Sequence, residues 1–289
     1  MRQASRPRLS RLEIDSKHSS PLDGDLDSRR ILGMRVDATS YEDATARILE
    51  WARRRESRYV CASSVNNVIE AYDSPEFRAA MDGADLVTPD GVPLVWALRL
   101  LGCPNATRVY GPDLMRRVCH AAAEQGISVG FYGGEPEVLA ALTEKAAGLW
   151  PTLKIQYACS PPFKPLSTTK DGEVTAGINS SDVGIVFIGL GTPKQDLWMA
   201  EHKPQLKAVT VGVGAAFDFI VGKKKQAPAI MQRAGLEWLF RLYSEPRRLW
   251  RRYLYRNPRF AGLFTLQLIR GLIDREFRAS IRLKGEGSP

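Results

Sequence analysis

Val183-Gly184-Ile185-Val186-Phe187-Ile188-Gly189-Leu190-Gly191-Thr192-Pro193-Lys194-Gln195 is the stretch whose reading decides the fold. Its first half is the most apolar strand candidate in the chain, as expected of a strand covered on both faces. The glycines then open a turn. Thr192 is placed to cap a helix, Pro193 suits the first helical position, and Lys194 and Gln195 fall in the first turn. Strand, turn and helix in that order form the repeating unit of a parallel sheet. Working outward, the same alternation recurs with strand candidates Ser57 to Ala62, Ala84 to Thr88, Ser128 to Tyr132, Lys154 to Cys159 and Ala208 to Val213. The expected fold is therefore α/β: a Rossmann-like, mostly parallel sheet with helices on both faces, spanning residues 31–222. Such sheets bind ligands at the carboxyl ends of their strands, so the loops there carry the functional reading.

Four of those loops are informative. Thr88-Pro89-Asp90-Gly91 brings one carboxylate to a strand tip, where Asp90 is either a helix N-cap, worth about 1 kcal/mol, or a general base facing the cleft. Gly133-Gly134-Glu135-Pro136 opens a helix, and its N–H groups suit a phosphate, with an ordinary turn as the equal alternative. Lys194 in a first helical turn runs against the helix dipole, which favours an anionic ligand near Gly191 and Thr192 over a purely structural turn. Gly212-Val213-Gly214-Ala215-Ala216-Phe217-Asp218 completes the set. Its small residues permit close approach of a ligand or close packing of the backbone.

The charge is unevenly distributed. The 289 residues carry 41 Lys and Arg against 32 Asp and Glu, a formal +9. Residues 1–220 hold 25 basic and 27 acidic side chains, a net −2, and residues 221–289 hold 16 and 5, a net +11. The surplus thus belongs to a C-terminal appendage, residues 223–289, that reads as helix broken at Pro246 and Pro258. Arg241, Arg248, Arg252 and Arg259 recur near one helical face, with Arg247 and Arg251 one step aside and Trp250 and Tyr253 among the flanking rings. That pattern suits a lipid headgroup layer or a lipid diphosphate, a solvated face, or a nucleic acid. Residues 1–30 read as a flexible tail, so the Asp23, Asp25, Asp27 series is expected to be a solvated acidic patch rather than a metal site. Cys61, Cys103, Cys119 and Cys159 show no metal-ligand spacing and read as buried thiols of a reducing compartment. No apolar run reaches the ~18 residues of a spanning helix, so the expected location is cytoplasmic, with peripheral membrane contact.

Taken together, Ala84-Asp85-Leu86-Val87-Thr88-Pro89-Asp90-Gly91, Arg108-Val109-Tyr110-Gly111-Pro112-Asp113-Leu114, Phe131-Tyr132-Gly133-Gly134, the 189–195 and 212–218 loops, Gly235-Leu236-Glu237-Trp238-Leu239-Phe240-Arg241-Leu242 and Glu245-Pro246-Arg247-Arg248-Leu249 resemble the WecG/TagA/CpsF glycosyltransferases. The resemblance covers residues 31–262 in seven ordered motifs. It implies a membrane-associated, inverting enzyme that needs no metal or other cofactor. Such an enzyme moves a sugar, often N-acetylmannosamine, from a UDP-sugar to a polyprenyl diphosphate-linked sugar during synthesis of a bacterial surface polysaccharide. Carried over by position, Asp90 is the general base, and Arg108 and Gln195 are polar active-site residues. Ser64, Asn66, Gly111, Gly133, Gly134, Gly191, Thr192, Lys194, Gly214 and Asp218 are the substrate-binding candidates. Arg241, Arg248 and Arg251 match arginines that act on the lipid diphosphate and the membrane. The expected partners are the UDP-sugar, the lipid-linked acceptor and the inner face of the cell membrane, with a homo-oligomer left open and no nucleic acid.

One departure is visible. Many relatives carry Thr-x-Asn at the first conserved strand tip, where this chain has Ala62-Ser63-Ser64, with Asn66 or Asn67 available to compensate. The competing reading is a nucleic-acid-binding protein that uses the basic helices. A nucleotide-cofactor oxidoreductase is disfavoured because the dinucleotide fingerprint is missing.

Overall fold

The computed structural model describes residues 26–161, 168–233 and 235–285. A hairpin of β1 (Ser28–Ile31) and β2 (Met34–Asp37) precedes α1 (Tyr41–Arg53). Then come β3 (Arg58–Ser63), α2 (Val65–Asp73), α3 (Pro75–Asp82), β4 (Leu86–Pro89), α4 (Val92–Leu100) and α5 (Gly111–Gln125). The second half of the sheet domain runs β5 (Val129–Gly133), α6 (Pro136–Leu149), β6 (Ile155–Cys159), α7 (Thr168–Ser180), β7 (Ile185–Gly189), α8 (Lys194–His202), β8 (Val209–Gly212) and α9 (Ala216–Val221). The remaining helices are α10 (Ala229–Arg233), α11 (Glu237–Ser244), α12 (Pro246–Trp250), a π segment (Arg251–Tyr255) and α13 (Arg256–Gly285).

The six strands β3 to β8 form one parallel sheet in the order β4-β3-β8-β7-β5-β6. All but β6 were legible as apolar runs. Residues alternate between two buried layers: Tyr59, Cys61, Val186 and Ile188 face one core, and Val60, Ile185, Phe187 and Val211 face the other. A sheet buried on both faces lacks a polar side, which is why its strands read as continuous hydrophobic runs. The last strand, β8, lies between β3 and β7, with Cys61, Gly212 and Ile188 level in register. The loops after β3, β7 and β8 therefore meet at one place, although they are far apart in sequence.

The hairpin was not foreseen. Ser28, Arg29 and Arg30, read from sequence as the end of a flexible tail, form β1. The strand carries no apolar run of its own, and Ile31, Met34 and Val36 become core only by packing against the sheet domain. Cys61, Cys103 and Cys119 are buried and Cys159 partly so, and all four are free.

Among the described residues no strand follows β8; residues 223–228, expected to be helical, form no helix, and helices predominate from Ala229 onward. Pro246 occupies the first position of α12, where its missing N–H costs nothing. Pro258 does not break the chain, because it falls in the first turn of α13, which continues directly from the π segment. The appendage is docked firmly on α2. Arg256 donates to Asn66 Oδ1 at 2.6 Å and to Glu70 Oε2 at 2.7 Å, and Arg259 grips Asp73 at 2.5 and 2.6 Å. Phe260 and Phe264 stack at 5.7 Å and are buried in the core on that side. The arginine series expected on one face is thus divided, Arg259 binding Asp73 while Arg241 turns towards the sheet. The chain break before Pro246 and the extra residue per turn of the π segment shift the helical phase between them. The side chains of Arg248 and Arg252 lie outside the described residues.

Candidate active site

The loops at the carboxyl ends of β3, β4, β7 and β8 enclose a cavity of about 310 Å³, and α11 with the π segment forms its other wall. It lies where an open α/β sheet is expected to bind its ligand. Gln195 cross-links the floor. Its Oε1 accepts from the Gly191 N–H at 3.1 Å and the Gly214 N–H at 3.0 Å, tying the β7 loop to the β8 loop. Both glycines have positive φ, +77° and +56°, a backbone region that disfavours other residues. At Gly212 a Cβ would stand 2.9 Å from Gln195 Nε2 and 2.7 Å from Met199 Cε, so the side chain lies across this strand end only because a glycine is there.

A second polar chain joins the β3 and β7 loops. Ser64 caps α2 in a reciprocal pair with Asn67, Asn67 Nδ2 donates to Thr192 Oγ1 at 3.2 Å, and Thr192 Oγ1 donates to Asp196 Oδ2 at 2.8 Å. Asp196 is fully buried, and that burial pushes its carboxyl up to about 6, against the hydrogen bonds from Thr192 and Cys61 that pull it down. Thr192 is consequently not the cap expected from sequence. Its hydroxyl turns inward to Asp196, and α8 begins at Lys194.

Asp90 is not a cap either. Gly91 occupies the N-cap position of α4, and the Asp90 side chain faces the cavity. Among the described residues its one hydrogen bond is a long one, 3.4 Å, from the Gly111 N–H. A Cβ on Gly111 would sit in ordinary contact with Val213, Ala62 and Asp90. Burial raises the Asp90 carboxyl to about 6; Arg108, the Gly111 N–H and Arg241 oppose the rise, and Glu237 adds to it. Arg108 donates through Nε to the Asp90 backbone oxygen at 2.5 Å and through Nη2 to Glu237 Oε2 at 2.5 Å, and rests 4.4 Å from the centre of the Tyr110 ring. Its Nη2 lies 3.7 Å from Asp90 Oδ1. Arg241, one helical turn after Glu237, lines the cavity over the Phe219 ring at 5.5 Å and has no carboxylate within ion-pair distance among the described residues. The cavity thus offers a loosely held carboxylate able to take a proton and two guanidinium groups able to hold an anion.

The residues singled out from sequence divide cleanly. Asp90, Arg108, Gln195, Ser64, Asn66, Gly191, Thr192, Gly214 and Arg241 line the cavity, and Gly111 lies immediately behind Asp90. Gly133 and Gly134 do not. A Cβ on Gly133 would stand 2.7 Å from the Gly189 backbone and one on Gly134 3.3 Å from Phe217, so this pair serves packing between β5 and β7. Lys194 is exposed and outside the cavity. Asp218 is ion-paired with Lys224 at 2.8 Å and also lies outside it. Arg251 is exposed beside the Trp250 ring. The side chain of Arg248 is not described, and of the Asp23, Asp25, Asp27 series only Asp27 is described, 4.0 Å from Arg29. Asn67 and Asn66 are occupied within the protein, the first by Thr192 and the second by Arg256. The structure adds Glu237, Trp238, Tyr253 and Asn257 to the cavity wall. The first two stood inside a quoted motif, but nothing in its spacing marked them as facing a site some 150 residues upstream. Among the described residues no three His, Cys, Asp or Glu side chains gather as a metal-ligand set.

Residues 29–273 match the glycosyl transferase WecG/TagA/CpsF family. The chain belongs to this family of glycosyltransferases. Over 188 residues, 64% of this chain and 70% of the relative, it is 34% identical to the N-acetylglucosaminyldiphosphoundecaprenol N-acetyl-beta-D-mannosaminyltransferase of Bacillus spizizenii. The family match includes every loop of the cavity together with α11, α12 and most of α13. The chain is accordingly a sugar-transferring enzyme, and the nucleic-acid-binding alternative falls.

Proposed function

We propose that this glycosyltransferase moves an N-acetylmannosamine-type sugar from a UDP donor to a polyprenyl diphosphate-linked sugar, with inversion at the anomeric carbon. One observation carries the reading: the Asp90 carboxylate faces the cavity at the strand ends, held only by one long hydrogen bond and a long ion pair among the described residues, with Arg108 and Arg241 in the same cavity. In this reading the Asp90 carboxylate takes the proton from the acceptor hydroxyl as that oxygen attacks the anomeric carbon. The bond to the UDP oxygen breaks, and Arg241 and Arg108 hold the diphosphate that departs. Gln195 and the Asn67–Thr192–Asp196 chain keep the three loops in place around the sugar. The name of the Bacillus relative supports the donor sugar and the acceptor class.

The test is transfer from UDP-N-acetylmannosamine, UDP-N-acetylglucosamine and UDP-glucose to short-chain polyprenyl diphosphates headed by N-acetylglucosamine or glucose, with product configuration read by NMR. Transfer of N-acetylmannosamine with inverted configuration, undiminished by EDTA, is the expected result. A retained configuration would overturn the single-displacement chemistry, and loss of activity in EDTA would overturn the metal-free one.

The enzyme is also proposed to work at the inner face of the cell membrane. Among the described residues no helix is long and apolar enough to cross a bilayer. The appendage instead exposes Tyr243, Trp250, Leu254 and Tyr255 beside the exposed Arg247 and Arg251. Rings and aliphatic groups next to guanidinium groups suit a headgroup layer, each basic residue adding about 1 kcal/mol near anionic lipid. Flotation with phosphatidylglycerol vesicles is expected to carry the protein upward, and raised salt to release part of it. Equal flotation with neutral phosphatidylcholine vesicles would remove the electrostatic part of the argument.

A further inference from the structure

Glu237 is a partly buried carboxylate in the cavity wall that the proposed chemistry does not use. Its side chain is 13% exposed, and it reaches the sheet domain from α11, a helix of the appendage. Arg108 stands between two carboxylates and bonds only one of them. Nη2 is 2.5 Å from Glu237 Oε2 and 3.7 Å from Asp90 Oδ1, and Nε is committed to the Asp90 backbone oxygen. The guanidinium is held at two points, and neither is the Asp90 carboxylate. Without Glu237 the nearest acceptor for Nη2 would be Asp90 Oδ1, and the rotation needed is small.

We propose that Glu237 is a positioning residue for the transfer reaction: by hydrogen-bonding Arg108 it holds that cation in a long ion pair with Asp90, 3.7 Å apart and without a hydrogen bond, so that Asp90 stays available as a base. The appendage then does more than bring the enzyme to its lipid substrate. It supplies the carboxylate that sets the state of the base in the sheet domain. This inference rests on the proposed role of Asp90. The groups facing Asp90 are Arg108 and Tyr110 from the segment before α5, the Gly111 N–H from α5, Tyr41 from α1, and Glu237 and Arg241 from α11. Of these, Glu237 is the anion nearest to the bridging guanidinium, and Coulomb interaction with it opposes ionisation of Asp90.

The sign follows. A general base works deprotonated, so kcat/KM falls as pH drops through the pKa of Asp90 in the free enzyme. Replacing Glu237 by a neutral residue removes the opposing anion and releases Arg108 to Asp90, and both changes favour the ionised form. For Glu237→Gln the acid limb of kcat/KM is expected to move to lower pH by about one unit. The plateau is expected to fall about tenfold, because a paired, weaker base accepts a proton less readily. Glu237→Asp, which keeps the charge, is expected to restore the acid limb most of the way. The experiment measures pH profiles of sugar transfer to a short-chain lipid diphosphate for the full-length wild type, Glu237→Gln, Glu237→Asp and Asp90→Asn, with folding checked by thermal melting. An unmoved acid limb in Glu237→Gln, with Asp90→Asn inactive, overturns the inference and leaves Asp90 in its role. An active Asp90→Asn with an intact acid limb removes Asp90 from its role, and the inference with it.

Discussion

Asp90→Asn is expected to lower turnover by a factor of about 10²–10⁴, the range supplied by a positioned general base, while making the fold more stable. The two effects share one cause. Burial holds the carboxyl near 6, against an ordinary value of 3.8, so at neutral pH the folded protein keeps an ionised group that solvent would accommodate better. A folded-state pKa above the unfolded one means that stability rises as pH falls from above 6 towards 4, where the native state binds the extra proton. The neutral amide has no such charge to bury. The gain at pH 7 is expected to reach up to about 3 kcal/mol, less whatever Arg108 loses by facing an amide. Thermal melting at pH 7 and pH 5 checks it: the variant should exceed the wild type at pH 7, and the gap should narrow to roughly half at pH 5. A gap that widens on acidification would show that the Asp90 carboxyl is not the raised group, and unchanged turnover would remove it as the base. Wild-type transfer itself should fall below pH ~6, where Asp90 takes up its proton.

The second large effect concerns the seat of α13. Phe260 and Phe264 are the apolar residues by which that helix enters the core, and Arg256 and Arg259 flank them with ion pairs to Glu70 and Asp73. A Phe→Ala change in a core costs about 3–5 kcal/mol, whereas an exposed ion pair contributes about 0–1. The aromatic pair, not the arginines, therefore governs docking. The double variant Phe260→Ala/Phe264→Ala is expected to release α13 and, through the π segment and α12, to loosen α11. Glu237, Trp238 and Arg241 would then leave the cavity, and transfer should fall at least a hundredfold although the sheet remains folded. Hydrogen exchange separates the two parts: α11 to α13 should lose protection while β3, β7 and β8 keep theirs. Full transfer activity with an unprotected α11 would show that the appendage wall is dispensable for the chemistry.

How far the site could be read in advance depended on the range of the interaction concerned. All six strands of the parallel sheet were legible, five of them because a strand buried on both faces is apolar along most of its length; β6, at the sheet edge, has no fully buried residue and was legible from its place in the alternation of strand and helix. The hairpin Ser28–Asp37 was not, since Arg29, Arg30 and Arg35 interrupt every local pattern and only packing places Ile31, Met34 and Val36 inside. Asp90 was legible as either a cap or a base, and the choice depended on where α4 is capped, one residue later at Gly91, with the helix starting at Val92. Gly133 and Gly134 were legible as special backbone positions, but whether a ligand or the neighbouring strand approaches them is a tertiary matter. Their own strand, β5, pairs with β7, and Gly189 takes the space beside Gly133.

The sequence by itself determined the sheet, the loops at its carboxyl edge, the family and the location of the +11 surplus, because hydrophobic periodicity, turn chemistry and composition are local quantities. Only the tertiary structure decided what that surplus does. Arg241 enters the cavity, Arg256 and Arg259 are spent on Asn66, Glu70 and Asp73, and Glu237 hydrogen-bonds Arg108 beside Asp90. These partners are separated by more than a hundred residues of chain, and no helical or strand period reaches across that distance. A charge acts on whatever lies within a few ångströms of it, and here folding alone sets those neighbours.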